Sequence, residues 1–121
     1  MEPTVPQRRE PIDGPQPGDR APDAPCRDPF TGTPKRLFDL FRGPHFTLLG
    51  LGERCAAARN DLKTDVVKPY LIGPGGLIDD AGHVAHAYGQ DSLILIRPDG
   101  YVGLIADADN ALAVADYLRS L

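Results

Sequence analysis

The sequence predicts an α/β fold in which one mixed four-stranded sheet carries helices on both faces, in the order β-α-β, α, β-β-α. Three observations predict it. First, two apolar runs, HFTLLGL at residues 45–51 and VVKPYLI at 66–72, are separated by a stretch of helix formers. Strands joined through a helix run parallel, with a right-handed crossover. Second, SLILIRPDGYVGLIAD at residues 92–107 holds two apolar runs around Arg97-Pro98-Asp99-Gly100. Proline presets the first turn position and glycine accepts a positive φ, so this pair is an antiparallel hairpin closed by a type I turn. Third, stretches with helical apolar spacing lie on either side of that hairpin.

Taken in order, the elements begin late. Nine of the 13 prolines fall within the first 34 residues, with almost no large apolar side chain before Phe30. Such a segment cannot bury enough surface to offset its ordering entropy. Residues 1–17 therefore read as a disordered or polyproline-like arm, and residues 18–121 as one domain. GDRAPDAPCRDPFTGTP, residues 18–34, reads as an ordered loop anchored by Phe30. KRLFDLF, residues 35–41, is a single helical turn or a short strand, stopped by Gly43-Pro44. Residues 45–51 form a strand apolar on both faces. Residues 53–62 form a helix, with Cys55, Ala58 and Leu62 on one face. In the strand at 66–72, Pro69 removes a ladder donor, which places that strand at an edge or gives it a bulge.

GPGG, residues 73–76, is a loop. Asp79 or Asp80 caps the next helix, whose stripe is Ala81, Val84, Ala85 and Tyr88, with Gly89 as its stop. The last helix starts near Asp107 or Asp109, with Val114, Tyr117, Leu118 and Leu121 as its stripe. A sheet of this order with helices on both faces is the thioredoxin-like fold.

Bulk properties exclude several function classes. With a formal charge of −4 and no basic cluster, the 121 residues offer no nucleic-acid surface. No apolar run approaches the roughly 20 residues that span a bilayer. The start MEPTVPQRREPIDG has no apolar signal core, so a soluble cytoplasmic protein is expected. Two cysteines in that compartment read as free thiols.

In a thioredoxin-like fold the joint between the first strand and first helix carries redox chemistry, because helix-terminal amides favour a thiolate. Cys55 falls at that joint, with Arg54 and Arg59 nearby. As a catalytic candidate it would need Cys26 as resolving thiol. Three features oppose that reading. Cys55-Ala56-Ala57-Ala58 has no second cysteine one turn on, YGQDS at 88–92 has no proline before the hairpin strand, and Gly52 replaces the peroxiredoxin Thr or Ser three residues ahead. The alternative is a small apolar side chain on a buried stripe.

Gly50-x-Gly52-x-x-Cys55 has the strand-to-helix context of a dinucleotide loop. It lacks the third glycine, places Glu53 where a pyrophosphate would sit, and has no acid closing the second strand. His83 and His86, with His45 as the only other histidine, are a poor zinc set. Asp79-Asp80, Asp107 and Asp109 are better explained as caps than as acid–base pairs.

PGDRAPDAP (17–25), RLFDLFRGPHFTLLGLG (36–52), DDAGHVAHAYG (79–89) and LILIRPDGYVGLIA (93–106) together resemble one family. It is the C-terminal domain of FAD-dependent aromatic-ring hydroxylases, the class A flavoprotein monooxygenases of phenol hydroxylase and polyketide hydroxylase type. The resemblance implies a thioredoxin-like module without a redox cysteine pair, packed beside flavin and substrate domains and in some members contributing dimer contacts. No flavin-contacting motif of the family has a counterpart here, so no catalytic, cofactor-binding or metal residue is carried over. FAD is implied only in the related full-length enzymes. The Met1 start favours a free-standing relative over a fragment. A non-catalytic binding or assembly module is the resulting expectation, as a homodimer or docked on a hydroxylase partner. The alternatives are a thiol-dependent redox enzyme using Cys55, and a small-ligand binder with a pocket beside the strand–helix joint.

Overall fold

The computed structural model describes residues 15–57 and 66–121. Its main sheet has four strands in the order β4-β3-β6-β7: β3 is Phe46–Leu51, β4 Val67–Ile72, β6 Ser92–Ile96 and β7 Val102–Asp107. β3 and β4 run parallel from Phe46↔Val67 to Leu51↔Ile72, while β6 is antiparallel to both β3 and β7. The sheet is therefore mixed, as the two kinds of connection require. β4 lies at its edge, where the donor missing at Pro69 is tolerated. The expected turn closes the β6–β7 hairpin. Gly100 donates to the Arg97 carbonyl at 2.9 Å and takes a φ of 87°.

Side chains alternate across this sheet and divide the core in two. On one face Leu49, Leu51, Ile72, Ile94 and Ile96 pack with Leu37 and Phe41 of α1 (Leu37–Phe41) and with Val84 and Tyr88 of α2 (His83–Tyr88). On the other, Leu48, Val67, Leu71, Leu93 and Leu95 pack with Cys55 and with Val114 of α3 (Ala111–Arg119). Four consecutive residues of β6, Leu93 to Ile96, are fully buried. Each such side chain contributes roughly 1.5–3 kcal/mol.

Several local expectations are corrected. Residues 18–34 are more than a loop. They hold the β1–β2 hairpin, with β1 at Pro25–Arg27 and β2 at Pro34–Arg36, and β5 (Ile78–Asp79) adds to it as a second sheet of order β2-β1-β5. Pro25 and Pro34 each stand first in a strand, where proline is accepted. Phe30 anchors nothing; at the hairpin tip it is 93% exposed. Residues 35–41 end β2 and then form α1, so strand and turn both occur.

The 79–88 helix starts later than its stripe suggests. Ala81 and Gly82 take φ of 54° and 74°, α2 begins at His83, and Ala81 is exposed. Asp79 still caps it from β5, accepting from Val84 N at 2.7 Å and Ala85 N at 2.9 Å. In α3 the cap is Asn110, which accepts from Ala113 N at 3.3 Å, rather than Asp107 or Asp109, and Leu121 is 72% exposed. A 3-10 turn, Glu53–Cys55, opens the expected 53–62 helix. Ala58, Arg59 and Leu62, like most of the N-terminal arm, lie outside the described residues.

Candidate functional site

The candidate site is the joint where β3 ends and the 3-10 turn begins. Its geometry is governed by Gly50. A Cβ on Gly50 would lie 2.7 Å from the Cβ of Cys55, so the absence of a side chain lets Cys55 sink against the strand. Cys55 is 0% exposed. Its thiol donates to the backbone carbonyls of Leu51 at 3.6 Å and Ser92 at 3.4 Å. Burial pushes the thiol pKa up, and the Asp91 carboxylate adds to the rise. That direction is opposite to the one a nucleophilic cysteine needs.

Cys26, the other thiol, sits in β1 on the opposite face of the main sheet, packed with Leu37, Val84 and Tyr88, and is also 0% exposed. Burial raises its pKa too, reinforced by Asp79. Both cysteines are free. The structure therefore separates the two thiols that a resolving mechanism would bring together.

The charges at the joint hold loops. Arg54 makes an ion pair with Asp109 and lies 3.9 Å from Asp91, bridging the loops that precede α3 and β6. Asp91 precedes the hairpin strand with a φ of 53°. Its amide donates to Leu51 O at 2.8 Å and its carbonyl accepts from Ala108 N at 2.9 Å. No cis peptide occurs among the described residues.

Nor does the glycine pair make a phosphate cradle. Gly52 has φ of 100° and its amide donates to Ile72 O at 2.9 Å, while Cys55 N donates back to Gly52 O at 3.1 Å. A cradle needs such amides free and pointing at the anion. The dinucleotide spacing is thus a packing device, and these residues do not fit a flavin pyrophosphate. Beside the joint, at the C-terminal ends of β3 and β4, a cavity of about 140 Å³ is lined by Leu51, Gly52, Ile72, Gly73 and Gln90. Asp79 also borders it, but its carboxylate is engaged by α2.

The histidines do not converge. His83 and His86 are exposed, whereas His45 is buried and donates from Nε2 to Leu40 O at 3.1 Å. Among the described residues no group of three or more His, Cys, Asp or Glu side chains can hold a metal ion. Nor is any helix among them long and apolar enough to cross a membrane.

Two features escaped the sequence reading. Asp23 ties the N-terminal segment to α1, accepting from Phe38 N at 3.0 Å and from Arg36 Nε at 2.6 Å. Burial pushes its pKa up, but these hydrogen bonds outweigh burial and lower it overall. The second is a groove of about 270 Å³ between α1 and the β6–β7 turn, lined by Arg20, Phe38, Phe41, Arg42 and Pro98. Three separate stretches of the sequence, at Arg20, at α1 and at the β6–β7 turn, form it, so no local spacing announces it.

Comparison with known proteins places this geometry. The family described as "Aromatic-ring hydroxylase, C-terminal" matches residues 14–121. A flavin-dependent monooxygenase of Mycobacteroides abscessus is 35% identical over 101 residues, which is 84% of this chain and 17% of that protein. The flavin-dependent monooxygenase PieE, solved in complex with FAD and substrate, superposes with a TM-score of 0.70 at 28% identity, covering 86% of this chain and 19% of PieE. Thiol peroxidase from Chromobacterium violaceum shares the fold, at a TM-score of 0.65, 14% identity and coverage of 89% and 88%. The chain spans less than a fifth of the length of both monooxygenases.

Proposed function

We propose a function from one premise: the chain belongs to the C-terminal domain family of aromatic-ring hydroxylases. On this reading it is a non-catalytic assembly module, whose thioredoxin-like scaffold supports contacts between proteins rather than a reaction of its own. Its context is a flavin-dependent hydroxylase, either as part of one polypeptide or as a partner docked on one. The flavin, on this reading, is held outside the chain, since the amides of Gly52 and Cys55 are engaged by the protein itself.

One observation carries the reading. The thiol at the joint is closed off, with a raised pKa, the other thiol on the opposite face of the sheet and both neighbouring acids facing Arg54. Nucleophilic thiol chemistry requires a thiolate that a substrate can reach. Neither requirement is met.

Iodoacetamide labelling of the native chain at neutral pH, read by intact mass, tests this. Both thiols should stay unmodified until denaturant is added. Rapid single labelling mapped to Cys55, rising as though its pKa were near 6, would overturn the reading in favour of a thiol redox enzyme. Yellow flavin absorbance retained by the purified chain would overturn the placement of the cofactor.

A further inference from the structure

We propose that Pro11 and Ile12 of this chain's own N-terminal arm seat in the groove between α1 and the β6–β7 turn, against Phe38 and Phe41. The contact goes beyond the assembly reading, since it is made within one copy and needs no partner. Its first support is the way the chain enters the described residues. Asp19 N donates to Gln16 O at 2.9 Å, and Gln16 N donates to Asp19 Oδ2 at 2.9 Å. Pro17 and Gly18 stand between them, Gly18 with a φ of 95°, as in a type II turn, which reverses the chain. After it, residues 19–21 run antiparallel to the start of β7. Val102 N donates to Asp19 O at 2.8 Å, and Ala21 N to Gly100 O at 2.9 Å. They head towards the β6–β7 turn, where Arg20 lines the groove. Because the chain reverses at 16–19, the residues that precede Gln16 leave in that same direction. The arm is delivered towards the groove.

The second support is the groove. Phe38 and Phe41 stand with ring centroids 6.1 Å apart and planes tilted by 50°, and Phe38 is 40% exposed. Pro98 and Gly100 form the opposite wall, and the volume is about 270 Å³. A cavity of about 150 Å³ is enough to hold benzene, so a proline ring and an isoleucine side chain fit together. Aromatic-lined grooves suit proline-rich extended segments, because proline arrives with its φ already fixed and loses little freedom on docking.

Reach selects the segment. Residues 1–14 lie outside the described residues, and besides prolines their large apolar side chains are Met1, Val5 and Ile12. Ile12 stands three positions before Pro15, which is half-buried at the turn. Three extended residues span about 10 Å, so Ile12 stays close to Arg20 and to the rings that share its groove. Pro11 adds a second apolar group beside it and holds Glu10 extended. Val5 and Met1 hang on much longer tethers, which dilute them. Charge makes no choice here: Arg20, Arg42 and Asp99 border the groove, and Glu2, Arg8, Arg9, Glu10 and Asp13 lie in the arm. A short tether supplies an effective concentration on the order of mM, so one weak apolar contact is populated without a second molecule.

The test is NMR of the whole chain labelled at its isoleucine δ1 methyls. The Ile12 methyl should show nuclear Overhauser contacts to Phe38 or Phe41 ring protons and an upfield ring-current displacement. Both should be unchanged from about 50 μM to about 1 mM, because the contact is intramolecular. Ile12→Ser should lower the closed-to-open ratio at least about tenfold, read as a movement of the Phe38 and Arg42 amide resonances. Phe38→Ser should return the Ile12 methyl to its random-coil position. That variant alters α1; Ile12→Ser changes no described residue and carries the test should Phe38→Ser unfold. An Ile12 methyl at its random-coil position, without contacts to either ring, overturns the proposal and leaves the groove to a partner. So does a displacement that grows with concentration, which would put a second copy there. Either result leaves the assembly reading untouched, whereas rapid labelling of Cys55 removes that reading and leaves this contact standing.

Discussion

Replacing Gly50 by alanine tests the packing account of the candidate site at its tightest point. Gly50 has ordinary extended backbone, so alanine meets no φ penalty there and gains about 0.4–1 kcal/mol by restricting the unfolded chain. Against that gain stands a new Cβ only 2.7 Å from the Cβ of Cys55 and 3.6 Å from its Sγ. The first atom struck is at the root of a side chain, so it can yield only if β3 or the 53–55 turn moves. Overpacking of this kind costs about 1–3 kcal/mol. The net loss is then on the order of 0–2.6 kcal/mol. At about 4 °C per kcal/mol for a domain of this size, the melting midpoint falls by up to roughly 10 °C.

Thermal unfolding followed by circular dichroism in reducing buffer reads that loss. The second substitution identifies its cause. Cys55→Ala keeps the Cβ and should leave the Gly50→Ala penalty in place. Cys55→Gly removes the atom, so the Gly50→Ala change should cost less in that background, with a coupling of about 0.5–3 kcal/mol. Equal penalties in the Cys55→Ala and Cys55→Gly backgrounds would refute the argument that Gly50 exists to admit Cys55.

Two further outcomes follow from the local geometry. Asp79→Ala removes both side-chain bonds to the first amides of α2 and should destabilise the domain by about 1–2 kcal/mol, with faster hydrogen exchange at Val84 and Ala85. Alkaline pH should destabilise the domain through its thiols, because both have pKa values raised by burial in the folded state. The unfolded chain therefore releases these protons first, near pH 8.5, so the contribution is complete below that pH and is lost as pH climbs through the folded values. Denaturant midpoints measured from pH 7 to 10 should decline, and a Cys26→Ala, Cys55→Ala chain should decline less.

What the sequence disclosed and what it concealed follow from the range of the interactions involved. The β6–β7 hairpin is written in four consecutive residues, and β3 in a six-residue run with four large apolar side chains, so both are visible locally. Pro69, by removing one donor, leaves β4 an edge position or a bulge, and β4 takes the edge. Asp79 is visible as a cap but not as a cap acting across a 3-10 turn. That step depends on the positive φ of Ala81, a residue whose usual preference is helix. β1 and β2 were hidden because three-residue strands among prolines lack a periodic pattern, and the pairing of β1 with β5 spans some 50 residues of sequence. Phe30 misled for a related reason. Hydrophobicity says that a ring gains by burial, but not whether its own chain supplies the cover. At the candidate site the residues were legible and their orientation was not. Gly50, Gly52 and Cys55 allow a cradle, a redox joint or a close-packed turn; the sequence already weighs against the first two, and the partners of the Gly52 and Cys55 amides show the orientation.

Those partners explain how a scaffold shared with a thiol peroxidase can carry no exposed thiol at its first strand–helix joint. A reactive cysteine there needs its sulfur outside the sheet, facing amides and cations that favour a thiolate. Here three features act in the opposite sense at once. The bare Cα of Gly50 makes room on the inner side, the carbonyls of Leu51 and Ser92 accept the S–H proton, and Arg54 is drawn away by Asp91 and Asp109. Turning the sulfur outward would vacate the space beside Gly50 and leave a void in the packing of Leu48, Leu93 and Leu95. The neutral, inward thiol and the glycine beneath it are therefore one structural unit. Substitution of either is felt first in stability.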